Sequence, residues 1–563
     1  MRRARLVRLP LALLIAIAPF AEPRMAAAAS ITSQILIDPV GENNADFFGT
    51  SVAWVGDVNG DGYDDLLIGA FRYPEIGSVG KAYLYFGGPA IDLVADLVIS
   101  PPAGGSGWFG VSVASAGDFN GDGHPDFIIG AQNSGYEGKA FIYYGGPSLD
   151  ATPDVSLIGE SIGSITAFGA SVSSAGDVND DGFDDVIVGA PWYGGGGNKP
   201  GRAHVFFGGA APDAVADRVF SGAGFFDQLG SVVGSAGDIN GDGHPDVFAS
   251  APYNNAAAQS AGAIYVWFGG PAFDTTADLT LLGSGSNEHL MRVANAGDVN
   301  GDGFSDLVGA GWTQVRVWFG GSSPNSAPDV MLARPYASVA GAGDVNGDGI
   351  DDFVVGSLND FVGGRVSVYF GGSTVDTTED RYYVGDDAGA AIGLAVAGGG
   401  HVDGPGPPDL IASANWDAIG YNKGRVYVFG NSSSSADTCP WQADGGGCND
   451  GNACTGGEVC GGGVCGGGAP VLPPAVNASV RLAKGGSGTT ISWTDPPGPY
   501  SVYRGTRSGG SPWAYNQTCH DARIAASSAT DSESPSLGTM FFYLVTRVDA
   551  CGESPNPNHS ACP

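Results

Sequence analysis

The chain has 563 residues, of which 95 are glycine and 43% are apolar, and its formal charge is −35. That length exceeds one ordinary domain and that apolar fraction excludes a disordered tract. Glycine without a G-X-Y period excludes collagen and places the glycines in the tight turns of an all-β chain. So acidic a surface also excludes nucleic acid as a partner.

At the N-terminus, Arg2, Arg3, Arg5 and Arg8 precede an apolar run from Leu9 to Ala21, followed by the small residues Ala27, Ala28 and Ala29. The pattern predicts a secretory signal peptide over residues 1–29. As a membrane span the run is too short, and Pro10 and Pro19 interrupt it. No later stretch reaches the ~18 apolar residues of a spanning helix, so the expectation is a secreted or cell-surface chain whose mature form is not inserted in a membrane.

Between residues 31 and 430 one block recurs about every 60 residues, which is the signature of a repeat architecture. Its core is an apolar strand, an acidic loop and a second apolar strand, as in SVAWVGDVNGDGYDDLLIGAF from Ser51 and SVASAGDFNGDGHPDFIIGAQ from Ser112. An alternating third strand follows, ending in a glycine pair in the first six copies (KAYLYFGG, KAFIYYGG, RAHVFFGG), and six copies add a fourth strand such as ADLVIS from Ala95. The seventh copy, RVYVFGN at Arg425, runs instead into NSSSSADTC. Residues 34–38, QILID, look like the missing outer strand and precede the first repeat. The expected fold is therefore a seven-bladed β-propeller of four-stranded blades in which the N-terminal strand completes the last blade, covering edges that an open stack would expose.

The acidic loop reads D-x-N-x-D-G-x-x-D six times. Positions one, three, five and nine are Asp57, Asn59, Asp61 and Asp65; Asp118, Asn120, Asp122 and Asp126; Asp177, Asn179, Asp181 and Asp185; Asp238, Asn240, Asp242 and Asp246; Asp298, Asn300, Asp302 and Asp306; and Asp344, Asn346, Asp348 and Asp352. Position seven, which would offer a main-chain carbonyl, is Tyr63, His124, Phe183, His244, Phe304 or Ile350. Oxygen donors at odd positions around a glycine turn select a hard cation, and a flexible set of this size favours Ca²⁺. Two carboxylates at about 4 Å repel by ~4 kcal/mol at an effective dielectric of 20, so six structural Ca²⁺ sites are expected. Position twelve carries no chelating side chain in any copy and strand formers follow, which excludes an EF-hand. In the seventh repeat His401, Asp403, Pro405 and Asp409 occupy positions one, three, five and nine, and no metal is expected there.

Phe48-Gly49, Phe109-Gly110 and Phe168-Gly169, with Gly69-Ala70, Gly130-Ala131 and Gly189-Ala190-Pro191, resemble the FG-GAP repeats of the integrin α-subunit head. Leu229-Gly230, Leu290-Met291 and Tyr336-Ala337 replace the first pair in later copies. The resemblance implies a seven-bladed propeller, calcium in the blade loops and recognition of extracellular macromolecules.

All eight cysteines (Cys439, Cys448, Cys454, Cys460, Cys465, Cys519, Cys551 and Cys562) follow residue 430, as expected of an exported chain whose small C-terminal units are stapled while the large repeat array holds by packing. Residues 431–470 read as a Cys-rich spacer, with pairing open. Residues 471–563 carry strand-like runs that resemble a fibronectin type III sandwich, with Trp493 as its core aromatic and Tyr543 in a late strand. No HExxH, GxSxG or Walker loop occurs, and the seven histidines are scattered. The expected function is non-enzymatic binding of an extracellular protein or glycan. The alternatives are a polysaccharide-acting enzyme with a site on one propeller face and a passive matrix component.

Overall fold

A computed structural model describes residues 34–430 except 44, 75–77, 90, 104–106, 196, 359–363, 385–390 and 415–422, and beyond 430 only the backbone of separate strands. The signal peptide expected over residues 1–29 lies outside the described residues. Among those that are described, no helix is long and apolar enough to cross a membrane.

Residues 34–430 form seven four-stranded antiparallel sheets. Blade 1 shows the pattern: an inner strand Phe48–Gly56, a second strand Asp65–Ala70, a third Lys81–Tyr85 and an outer strand Leu97–Ile99. All six residues of the second strand are buried. Blades stack face to face, so their central strands are covered on both sides and read as continuous apolar runs rather than alternating ones. The inner strand is only half buried and rich in Ala, Ser and Gly because it faces the ring axis.

Ring closure follows the expectation from the sequence. Strand Gln34–Ile37 pairs antiparallel with the third strand of blade 7, Arg425–Gly430, in the register Gln34↔Gly430 and Ile35↔Phe429. Seven apolar clusters fill the seven gaps between neighbouring blades. The closing cluster sets Ile37, Phe48 and Leu66 against Val402, Ile411 and Val428, so blade 1 packs on blade 7 as each blade packs on the next.

The paired glycines have a steric reason. A Cβ on Gly69 of blade 1 would lie 2.0 Å from the carbonyl oxygen of Gly110 in blade 2, and Gly110 itself has φ +81°. The two backbones touch directly, and only glycine permits both the approach and the left-handed angle. Between blades 4 and 5 the pair is replaced on both sides, by Ser250 and Met291. Phe48, Phe109 and Phe168 are buried beside these contacts, and Leu229 and Leu290 replace them as buried apolar residues.

After residue 430, strands Arg481–Gly485, Gly488–Ser492 and Ser528–Asp531 form one sheet, and Thr518–Ile524, Tyr500–Ser508, Thr539–Asp549 and Gly552–Glu553 form another. Trp493, the Tyr543 side chain and the cysteine pairing lie outside the described residues.

Candidate metal centres

Each acidic loop is the hairpin between the inner and second strands of a blade, so all of them lie on one face of the ring. In blade 1 the loop folds around its own carboxylates. Asp57 Oδ1 accepts from the Asp61 N–H at 2.8 Å and Asp57 Oδ2 from the Gly62 N–H at 2.7 Å. Asn59 Oδ1 accepts from the Asp61 N–H at 2.8 Å, and its amide donates to Asp61 Oδ2 at 2.9 Å. Asp61 Oδ1 accepts from the Tyr63 N–H at 3.0 Å. Gly62 at position six has φ +95°, the left-handed turn for which the sequence reserves a glycine.

The same bonds recur around Asp118 and Asp122, Asp177 and Asp181, Asp238 and Asp242, Asp298 and Asp302, and Asp344 and Asp348. Asn120, Asn179, Asn240, Asn300 and Asn346 repeat the Asn59 contact. In blade 3 Asp180 takes the left-handed place filled by glycine in the other five loops, with φ 63°, which a short polar side chain tolerates.

Position nine behaves differently from the other three. Asp65 is fully buried; its Oδ2 accepts from the Val58 N–H at 2.9 Å and its Oδ1 from the Gly87 N–H at 2.8 Å. It therefore ties the loop's second residue to the glycine pair after the third strand. Asp126, Asp185, Asp246, Asp306 and Asp352 repeat both bonds. In blade 7 the other acidic positions have changed, yet Asp409 is still buried and still accepts from the Val402 N–H at 2.8 Å. Retention there shows an architectural duty for this aspartate that its place in a ligand motif concealed.

Burial pushes the Asp65 carboxyl up to about 7, with the charges of Asp61 and Asp57 adding and the two N–H bonds opposing. The same causes take Asp126, Asp246, Asp306 and Asp352 to about 7 and Asp185 to about 8. No Lys or Arg pairs with any of these loop carboxylates among the described residues.

Adjacent loops are also sewn together. The Asp184 carboxylate of blade 3 accepts from the Asp118 N–H of blade 2 at 2.8 Å, Asp351 does the same for Asp298, and Asp64 for His401. The second glycine of each pair donates to the preceding blade's loop, as Gly146 does to the Val58 carbonyl at 2.7 Å. Position-seven side chains lie against the preceding loop: His124 against Gly60, Phe183 against Gly121, Phe304 against Gly241, Ile350 against Gly301 and Tyr63 against Gly404. His244 lies against Gly270 of its own blade.

The donor chemistry fits a hard divalent cation. Each loop gathers carboxylate, amide and carbonyl oxygens within nine residues, with surplus negative charge and no cationic side chain. Among the described residues no three His, Cys, Asp or Glu side chains form a metal-holding cluster. The reason is visible in the loop: two of its donors are an amide and a carbonyl, and the position-nine carboxylate is turned onto backbone N–H groups. Each of its oxygens keeps a second lone pair, except Asp126 Oδ2, which accepts from the Asn120 N–H at 3.2 Å as well as from the Phe119 N–H.

A ring of seven blades with acidic inner hairpins and glycine-to-glycine contacts between neighbours defines an integrin-alpha-like β-propeller. The FG-GAP repeat model matches residues 48–85, 109–143, 168–206 and 230–267, and the FG-GAP-like repeat model matches 298–355. The chain is 37% identical over 155 residues to integrin alpha-7 of Mus musculus, covering 27% of this chain and 13% of that protein. It is 37% identical over 161 residues to integrin alpha-5 of Xenopus laevis, covering 27% and 15%. Phosphatidylinositol-glycan-specific phospholipase D of Bos taurus is 34% identical over 181 residues, covering 29% and 21%. The match thus spans about a fifth or less of each of these relatives. A solved structure of BBS1N in complex with ARL6DN, soaked with lead, aligns with TM-score 0.43 at 12% identity, over 70% of this chain and 98% of that chain.

Proposed function

We propose that this chain is an exported, calcium-loaded propeller that binds an extracellular protein or glycan without catalysing a reaction. Six matched all-oxygen loops on one face, with no Lys or Arg paired to them among the described residues, carry this reading. Calcium would be held by positions one, three and five, the position-seven carbonyl and a free lone pair of position nine, and it would supply the missing positive charge. Its work is structural: it fixes hairpins that are already bonded blade to blade. The similarity to integrin α chains supports extracellular ligand binding as the task, and the arginine-led apolar N-terminus supports export. The similarity to a phospholipase D supports a catalytic alternative.

Calcium titration with a melting curve tests the metal. At a hundredfold excess over its dissociation constant, each site adds about 2.7 kcal/mol, so EDTA should lower the melting temperature clearly. A melting curve indifferent to EDTA would refute the calcium sites. Binding to immobilised glycans and matrix proteins, with and without EDTA, tests the task, and turnover of a polysaccharide or phospholipid would replace it with the enzymatic one.

A further inference from the structure

Basic side chains keep away from the acidic-loop face. Neither the hairpins between inner and second strands nor those between third and outer strands contain a Lys or Arg. At the opposite face two cations stand without an acid. Lys199, in the loop between the second and third strands of blade 3, places its ammonium 4.4 Å from the ring centroid of Trp192 and 5.8 Å from that of Phe226, on the crossing to blade 4. Arg292 is exposed and opens the inner strand of blade 5, in the place that Ser51 and Ser171 hold in blades 1 and 3. Among the described residues no carboxylate pairs with either cation.

The acids of the neighbouring loops are already held. Glu160 pairs with Arg202 and Glu288 with Arg316. Asp227 is 1% exposed and accepts from the Gly224 N–H at 2.7 Å and the Asn254 amide at 3.1 Å. Glu137 is brought below its ordinary value by a hydrogen bond with Ser161, helped by the charge of Lys139. A chain of formal charge −35 thus keeps free positive charge at this face. The acidic loops do not cancel it, because the six residues of Arg292–Gly297 span about 20 Å, which is about two Debye lengths at physiological salt.

The surroundings of Lys199 select the kind of anion. Its ammonium lies against ring faces rather than on an acceptor, so its donors remain for a ligand. Phe226 is 37% exposed, and Phe225, with its centroid 6.4 Å away, is 69% exposed. Ring faces are negative and take the C–H face of a sugar, while the ammonium takes a carboxylate. Asp and Glu side chains of a peptide offer the carboxylate without a flat C–H face. A small anion would meet one of the two cations, whereas a chain with charges along it meets both. Duplex DNA, with one charge per ~1.7 Å, is too dense a polyanion for so acidic a protein. Resting on the extracellular-binding reading above, we propose that Lys199 with its ring neighbours and Arg292 form the binding surface and that the ligand is an acidic polysaccharide with widely spaced uronate carboxylates.

The test is affinity electrophoresis of the full chain in calcium, through native gels cast with hyaluronan or xanthan, with dextran as the neutral comparison and polyglutamate as the peptide one. Hyaluronan or xanthan should retard the chain, and less so as salt is raised. Lys199→Met with Arg292→Met should weaken that affinity by about tenfold or more. Lys199→Arg should keep it, as should Arg218→Met, which removes a cation at the acidic-loop end of the blade 3 outer strand Arg218–Ser221; melting curves confirm that all the variants fold. Equal retardation of wild type and double variant overturns the proposal, since the polymer would then be held elsewhere, as by calcium on the acidic loops. Retardation by dextran or polyglutamate as strong as by the acidic polysaccharides overturns it too, and so does retardation by none of the gels. A saturable protein or neutral-glycan ligand indifferent to the double variant sinks this surface and leaves the broader binding reading standing. The absence of any saturable ligand removes both.

Discussion

The two faces of the ring treat carboxylates in opposite ways. On the acidic-loop face they are gathered without a cation, and burial and mutual repulsion raise the position-nine carboxyls. On the opposite face, among the described residues, Glu160 pairs with Arg202, Asp227 accepts from the Gly224 N–H and Glu288 pairs with Arg316. Hydrogen bonding to His204, against some burial and helped by Arg202, lowers Glu160 to about 2; burial alone would raise Glu288, but Arg316 and two backbone N–H groups bring it below its ordinary value. One face therefore gathers acids that lack a cation of the protein, and the other satisfies these three acids within the chain. The same residue type thus offers oxygens for a cation in one setting and clamps the structure in the other.

Breaking a clamp should have the largest effect. Glu288→Ala leaves Arg316, which is 1% exposed, charged and unpaired in the core; a loss of about 3–5 kcal/mol in urea unfolding is expected, with or without calcium. A loss that vanished in EDTA would mean that the two faces are not independent.

Position nine comes next and tests the line between clamp and ligand. Asp126→Ala and Asp409→Ala each strand buried N–H groups and should cost roughly 1–3 kcal/mol, both persisting in EDTA. If Asp409→Ala is silent, the architectural reading of this position fails. Position one should behave in the complementary way. Asp118→Ala should remove up to about 2.7 kcal/mol at a hundredfold calcium excess over the dissociation constant, and stay within about 0.5 kcal/mol of wild type in EDTA.

Acidity gives the last contrast. In metal-free protein the position-nine carboxyls have folded values near 7 against an ordinary 3.8, so the folded state holds more protons between those limits. Stability should then fall as pH rises from about 4 to about 7, and calcium should reverse the slope by favouring the ionised form. Glu160 has the opposite sign: its contribution is present above about 4.5 and is lost as pH falls towards 2. Its side chain is 39% exposed, so solvent screening keeps the contribution small. Urea midpoints across pH, in EDTA and for Glu160→Gln, separate the two.

Much of the site could be read in the sequence because its donors lie within nine residues of one another. The loops join strands as expected, and position-seven residues such as His124 place their side chains on neighbouring backbone. The two hydrogen bonds that Asp65 accepts were not both legible, since Gly87 stands 22 residues away. One signal was available: Asp409 survives in a repeat whose other acidic positions have changed. The rings at the blade crossings had a fainter sign in the aromatic or histidine residue before the Phe position, as at Phe47, Trp108 and His289; Tyr336 joins them because Ala337, which pairs with Ser357 as Phe48 does with Ala70, takes the Phe place in blade 6 instead of Tyr336. That Tyr253 and Trp312 join His289 depends on loops of different blades meeting.

The sequence alone determined the repeat, the number of blades, the four strands in each and the displaced strand that closes the ring, because period, alternation and turn glycines are local properties that hydrophobic burial must honour. Only the tertiary structure decided which aspartates face solvent and which are drawn inward, which acids find arginines and which rings touch. Those outcomes depend on distances between residues tens to hundreds of positions apart, and the circular stacking of blades sets those distances.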